Sequence, residues 1–366
     1  MVEDPNYLSK QLITYIGNKR ALLGPIGEAV QRVKSRLGKS QLRCFDAFSG
    51  SGVVSRFLKA HASHIVSNDL EDYSAVANRC HLTNRCDVDF REVARIVDEL
   101  NKHVESKLLP CGFIEEMYAP KNEKRIVASD RVFYTRANAC RLDNYRRLIE
   151  EYPSAYRDLL LGPLLGEASV HANTAGVFKG FYKDRRTKLG RFGGSGEDAL
   201  VRIRGEIRLE PPILSRFDCE SEVIQEDANA LAKRLQNLDF AYFDPPYNQH
   251  PYGSNYFMLN LLVSYRRPEN VSAVSGIPRD WQRSGYNVRA KSAELLKQLL
   301  FDTPAPFLLV SFNNEGFIEL ERMSEILNGI GSVQTFEMKY NAFRGSRSFA
   351  KRSIHTTELM FLVERR

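Results

Sequence analysis

FAYFDPPYNQHPYGSNYF, residues 240–257, is the stretch from which the rest of the chain is best read. Phe240-Ala-Tyr-Phe243 is a short apolar, aromatic run of the kind that forms a buried strand. It is cut off by Asp244 and then by Pro245 and Pro246, which cannot extend a sheet ladder. The segment beyond the prolines is a poor recipe for a solvated turn, because Tyr247, Tyr252, Tyr256 and Phe257 crowd it. One carboxylate, a stiffened backbone and several rings are delivered together to the end of a buried strand.

Working outward, three earlier segments share this form. QLRCFDAF (41–48), HIVSNDL (64–70) and SEVIQEDA (221–228) each read as a strand that ends in acid, at Asp46, Asp69 and Asp227. The first runs through SGSG into the helical pattern VVSRFLKAH, and the third into LAKRLQNL. Strands alternating with helices predict an α/β fold with a parallel, Rossmann-like sheet, whose ligands gather at the C-terminal strand ends. Four acids at successive strand ends suggest one shared crevice. PFLLVSFNN (306–314) predicts a fifth strand, and VQTFEMKYNAF (333–343) with TTELMFLVER (356–365) a closing antiparallel hairpin.

The alternation is interrupted from 72 to 218 by helical patterns and a Gly-, aromatic- and Lys/Arg-rich stretch. This predicts three parts: 1–71 and 219–366 form the sheet domain, and 72–218 is a mainly helical insertion. At 366 residues, 43% hydrophobic and 27% charged, the chain is long and apolar enough for a full core. No apolar run reaches the roughly 20 residues of a membrane span, and the start lacks a signal-peptide pattern, so a cytoplasmic location is expected. The six cysteines form no CxxC pair, and Cys80, His81 and Cys86 lack a second ligand pair, so reduced, mostly buried thiols and no metal are expected. Between Lys121 and Arg216 there are 19 Lys+Arg against 12 Asp+Glu, an excess equal to the whole chain's net charge of +7. Positive charge concentrated in this way favours a polyanionic partner.

Asp46-Ala-Phe48-Ser-Gly50-Ser-Gly52 would let backbone approach a ligand closely, with a helix N-terminus behind it. Ser55 breaks the GxGxxG pattern, and a plain tight turn remains the alternative. Asp69, at the next strand end, is placed to accept from ribose hydroxyls. Asp244-Pro245-Pro246-Tyr247 is more specific. An exocyclic amine on a planar base is a poor nucleophile, because its lone pair is delocalised into the ring. The Asp244 carboxylate accepting one N–H and the Pro245 carbonyl accepting the other would draw it towards tetrahedral geometry. The prolines pre-aim that carbonyl, and Tyr247 offers a face on which the base stacks. A base reaching such a pocket must leave its duplex.

With these residues the sequence resembles the S-adenosylmethionine-dependent DNA adenine-N6 methyltransferases of the D12 class, in which the glycine loop precedes the recognition domain. DAFSGSG is similar to the family's DxFxGxG, DPPY is its catalytic signature, and TYIGNKRALL (14–23) and YNQHPYGSNYFMLN resemble its flanking segments. The resemblance implies that Tyr15, Gly17 and Lys19 lie by the methionine end of the cofactor, with Lys19 facing its carboxylate. It also implies that Asp227 lies near the cofactor's adenine, that duplex DNA is the substrate, and that a cognate restriction endonuclease is a functional partner. The insertion then becomes the expected target recognition domain. Lys179, Lys183, Arg185, Arg186, Lys188 and Arg191, set among glycines, are candidate phosphate contacts, as are Arg344 and Arg347 in the closing hairpin's loop. Adenine in RNA and N4 of cytosine are the neighbouring alternatives, although N4 enzymes more usually carry Ser-Pro-Pro-Tyr. An inactive DNA-binding module of the same fold is a third, opposed by retention of Asp244, Tyr247, Lys19 and the glycine loop.

Overall fold

The computed structural model describes residues 2–107, 109–194, 198–313, 316–341 and 355–366. Seven strands make one sheet: β1 (Leu42–Asp46), β2 (Ala62–Asn68), β3 (Glu220–Ile224), β4 (Phe240–Phe243), β5 (Phe307–Asn313), β6 (Gly331–Asn341) and β7 (His355–Arg365). Their order is β3-β2-β1-β4-β5-β7-β6. The first five are parallel, and β7 pairs antiparallel with both β5 and β6. All seven strands coincide with the segments expected from the sequence, including the closing hairpin.

β4 is buried on both faces because successive side chains alternate. Phe240 and Tyr242 pack with Val30, Val33 and Leu58 below helices Leu23–Leu37 and Val53–Lys59, whereas Ala241 and Phe243 pack with Leu296, Leu299 and Met323 on the other side. The direction of sheet growth reverses between β1 and β4, which pair in register at Phe45–Ala241 and Asp46–Tyr242. Adjacent C-terminal ends therefore part there, leaving the crevice in which ligands of open α/β sheets bind.

Among the described residues between β2 and β3 the chain is helical, with long helices Asp72–Leu82, Phe90–Ser106, Arg136–Glu150 and Ser154–Val170. This part shares one core with the segment after β4: Tyr118, Phe133 and Phe178 pack with Phe257, Met258 and Leu262. Asp143 strengthens the junction, accepting from the backbone N–H groups of Gly112, Ile114 and Glu115 and from the Tyr265 hydroxyl.

The cysteines depart from the expectation in one place. Cys44, Cys80 and Cys219 are buried free thiols and Cys86 is exposed, but Cys111 and Cys140 form a disulfide with Cα atoms 4.8 Å apart. Sequence spacing gave no sign of it, because the pairing depends on the loop at Leu109–Gly112 being held on helix Arg136–Glu150. Asn144 Oδ1 accepts from Leu109 N and Asp143 from Gly112 N.

Candidate active site

A cleft of about 720 Å³ opens at the β1/β4 switch, lined by residues that include Tyr15, Gly17, Lys19, Asp46, Phe48, Gly50, Asp69, Asp244 and Pro246. One wall is largely backbone. Gly50 and Gly52, after β1, have φ of +51° and +75°, in the left-handed region that side chains resist. A Cβ on Gly52 would lie 2.5 Å from Asn78 Oδ1, and one on Gly50 2.9 Å from the Tyr15 hydroxyl. The turn is pinned from below, where Ser74 Oγ donates to Gly50 O and Asn78 Nδ2 to Ser49 Oγ.

Asp69 faces this turn. Its Oδ2 accepts from Gly50 N at 2.8 Å and its Oδ1 from Glu71 N at 3.0 Å, so both oxygens brace the loop while the residue also lines the cleft. Asp46 is fully buried. Its Oδ2 accepts from Ser55 Oγ at 2.6 Å, and Oδ1 has no protein partner. Burial pushes its carboxyl up to about 7, against the lowering effect of the Ser55 bond. Gly52 lies at the turn itself. Asp227 stands apart from the cleft: it is exposed and caps helix Ala228–Ala232, accepting from Ala230 N.

The opposite wall is built from charged side chains. Asp244 directly follows β4, and Tyr247 returns over it, donating from its hydroxyl to Asp244 Oδ1 at 2.5 Å. Lys19, in the single helical turn Lys19–Leu22, donates to the Tyr247 hydroxyl at 2.7 Å and lies 3.3 Å from Asp244 Oδ1. The resemblance places this ammonium beside a methionine carboxylate. In the structure it lines the cleft and its protein partners are Tyr247, Asp244 and Glu358, the last in a close ion pair. Burial works against the Lys19 charge, but Asp244 and Glu358 together outweigh it and hold the ammonium above its ordinary value. Burial likewise raises Asp244, and Glu358 adds to the rise while Lys19 opposes it. Tyr247 thus points its hydroxyl inward, and with Pro245 and Pro246 it also lines a small hollow beside Tyr286 and Phe317.

Sequence reasoning missed two acids, Glu71 and Glu358. Glu71 lines the cleft, and its Oε2 accepts from Asn260 Nδ2 at 2.7 Å. Burial pushes it up to about 8. Glu358 carried a readable signal, as an acid at the inward-facing parity of an apolar strand, alternating with Met360 and Leu362. A further missed feature is the cluster of three near-parallel rings, Tyr15, Tyr252 and Tyr256, with centroids 4.8–6.0 Å apart, which fixes the residues leading to Lys19.

The basic loop adjoins this wall. Phe178 N donates to Asn255 O, and Lys179 Nζ meets His250 Nδ1 at 3.1 Å, which ties the loop's base to the segment after Tyr247. Asp184 accepts from Arg186 N and Thr187 N and so closes the turn, leaving Lys183, Arg185, Arg186, Lys188 and Arg191 exposed. Arg344 and Arg347 lie outside the described residues.

Among the described residues no three His, Cys, Asp or Glu side chains cluster as a metal site, and no helix is long and apolar enough to cross a membrane. Residues 15–301 match the family model of the D12 class N6 adenine-specific DNA methyltransferases. The chain is similar to the type II methyltransferase M.NlaIII of Neisseria lactamica, at 28% identity over 344 residues, covering 92% of this chain and 94% of the relative. It is also similar to M.CviAII of Paramecium bursaria Chlorella virus 1, at 25% identity over 359 residues, with 96% and 98% covered. M.FokI of Planomicrobium okeanokoites is 25% identical over 367 residues, which cover 96% of this chain and 52% of that longer protein.

Proposed function

Because the chain belongs to the D12 class of N6 adenine-specific DNA methyltransferases, we propose that the cleft binds S-adenosylmethionine and that Asp244-Pro245-Pro246-Tyr247 receives an adenine flipped from duplex DNA. The protein is a DNA-methylating enzyme. The observation that carries the assignment of residues is the position of Asp244: it stands at the end of β4 and lines the same cleft as the glycine turn after β1.

The cleft fits an adenosine cofactor by two features: the left-handed glycine turn that presents backbone beside it, and the buried Asp46 Oδ1 that lacks a partner among the described residues. Asp46, Phe48, Gly50, Gly52 and Asp69 would hold the nucleoside, with Tyr15 and Gly17 at the other end. Asp227 would reach it only from the rim. When bound, the cofactor supplies an electrophilic methyl group.

The protein's own part is to make the amine nucleophilic. Asp244 accepts one amine N–H, and the Pro245 carbonyl accepts the second. The Tyr247 hydroxyl occupies Asp244 Oδ1 and so helps to orient the carboxylate. Burial raises the Asp244 carboxyl, which favours its taking the proton that the amine sheds. The insertion at 72–218 serves as the recognition domain, and the loop from Lys179 to Arg191 tracks phosphates next to the pocket. By analogy with its type II relatives, the enzyme works alongside a restriction endonuclease that cuts the same site.

The test is transfer of a tritiated methyl group to duplex DNA, followed by nucleoside analysis. Label in N6-methyldeoxyadenosine is expected. Label in N4-methyldeoxycytidine, or only in RNA or protein, contradicts the reading.

A further inference from the structure

Glu358 is 0% exposed on β7, within the run Glu358-Leu-Met-Phe-Leu-Val363 that otherwise forms the sheet's core. A carboxylate at such a position is costly unless it is paired and hydrogen-bonded. Its partners lie together for a geometric reason. Side chains alternate along a strand, so Tyr242 and Asp244 at the end of β4, Ser311 on β5 and Glu358 on β7 all face the side covered by helix Leu23–Leu37. The turn Lys19–Leu22 leads directly into that helix, so the 4%-exposed Lys19 enters this group from above.

Both hydrogen bonds to Glu358 converge on one oxygen. Its Oε1 takes the Lys19 ammonium and the Ser311 hydroxyl, the latter at 2.8 Å, while Oε2 has no partner among the described residues. Lys19 thus sits closer to Glu358 than to Asp244, whose Oδ1 is 3.3 Å away. With Asp244 as its only anion, a buried ammonium would move fully onto the carboxylate that accepts the adenine amine.

We propose that Glu358 is a positioning residue for methyl transfer, holding Lys19 on the β7 side so that it steadies Asp244 without covering it. This rests on the methyl-transfer reading of the cleft. Burial is the largest influence on the Asp244 proton, and the groups facing it are Lys19, Glu358, its own Tyr247, Tyr242 on β4, Asp46 on β1 and Tyr252. Glu358 and Asp46 favour the protonated form of Asp244, whereas Lys19 favours the ionised form. Removing the Glu358 charge therefore moves the acid limb of the rate profile to lower pH.

The experiment compares Glu358→Gln with the wild-type enzyme on duplex DNA at saturating cofactor. The expected result is a kcat lower by roughly tenfold or more, unchanged cofactor affinity, and an acid limb displaced to lower pH. A residue that only supported the fold would lower the active fraction without moving that limb. Wild-type kcat with an unmoved limb, or a limb displaced upward, overturns the proposal. Should Glu358→Gln not fold, Lys19→Met is compared with the double variant Lys19→Met/Glu358→Gln. Because Glu358 positions the site through Lys19, the second change causes no further loss of kcat on the plateau of the pH profile, and a further loss there overturns the proposal. A wild-type enzyme that labels no adenine would instead overturn the underlying reading.

Discussion

The two walls of the cleft are made of different material. On the β1–β2 side, Gly50 and Gly52 present backbone, and the Asp69 carboxylate braces the turn through Gly50 N and Glu71 N. On the β4–β7 side, shape depends on charge: Lys19 is shared between Asp244 and Glu358, and Tyr247 closes over the pair. A wall held by backbone geometry is sensitive to added volume. A wall held by buried ions tolerates volume better but responds to the loss of one charge. Binding and chemistry should therefore fail separately.

The largest effect is expected on the charged wall. Asp244→Ala removes the acceptor for the amine, and turnover should fall by on the order of 10²–10⁴-fold. Gly52→Val strikes the backbone wall. A side chain at φ +75° that meets Asn78 carries strain of about 1–3 kcal/mol. Isothermal titration should show this as weakened cofactor affinity, at roughly tenfold per 1.4 kcal/mol. Unaltered affinity would mean that the turn does not shape the site.

Smaller effects sharpen the contrast. Neutralising Lys183, Arg185 and Arg186 together should weaken DNA binding and reduce the slope of log affinity against log salt by up to about 2.7. An unchanged slope would remove the loop from the interface. Glu71, raised to about 8 by burial, binds its proton more tightly in the folded state than in the unfolded chain. Its contribution to stability is fully present below its ordinary value and is lost as pH rises through about 8. The melting temperature of the wild type should thus fall more than that of Glu71→Gln between about pH 6 and about pH 8.5. Parallel curves would show that Glu71 titrates normally.

The backbone wall was the easier one to read in the sequence. Strand 41–48, the glycine turn and the acids Asp46 and Asp69 are local patterns, and alternation of strands with helices placed them at one crevice. The charged wall joins residues as far apart as Lys19 and Glu358, a pairing written only in sheet order and strand parity. Glu358 was visible as an acid in an apolar strand, but its partner was not. The Cys111–Cys140 disulfide escaped for the same reason, since it depends on how a loop lies on a helix. Asp227 shows the reverse: its motif was legible, yet its carboxylate is engaged in capping Ala228–Ala232.

The division of labour between the walls is tested most directly by measuring methyl transfer and cofactor affinity on the same preparation of Asp244→Ala. Transfer to adenine should be lost while cofactor binds as it does to the wild type. An Asp244→Ala protein that loses cofactor affinity together with turnover would contradict that division.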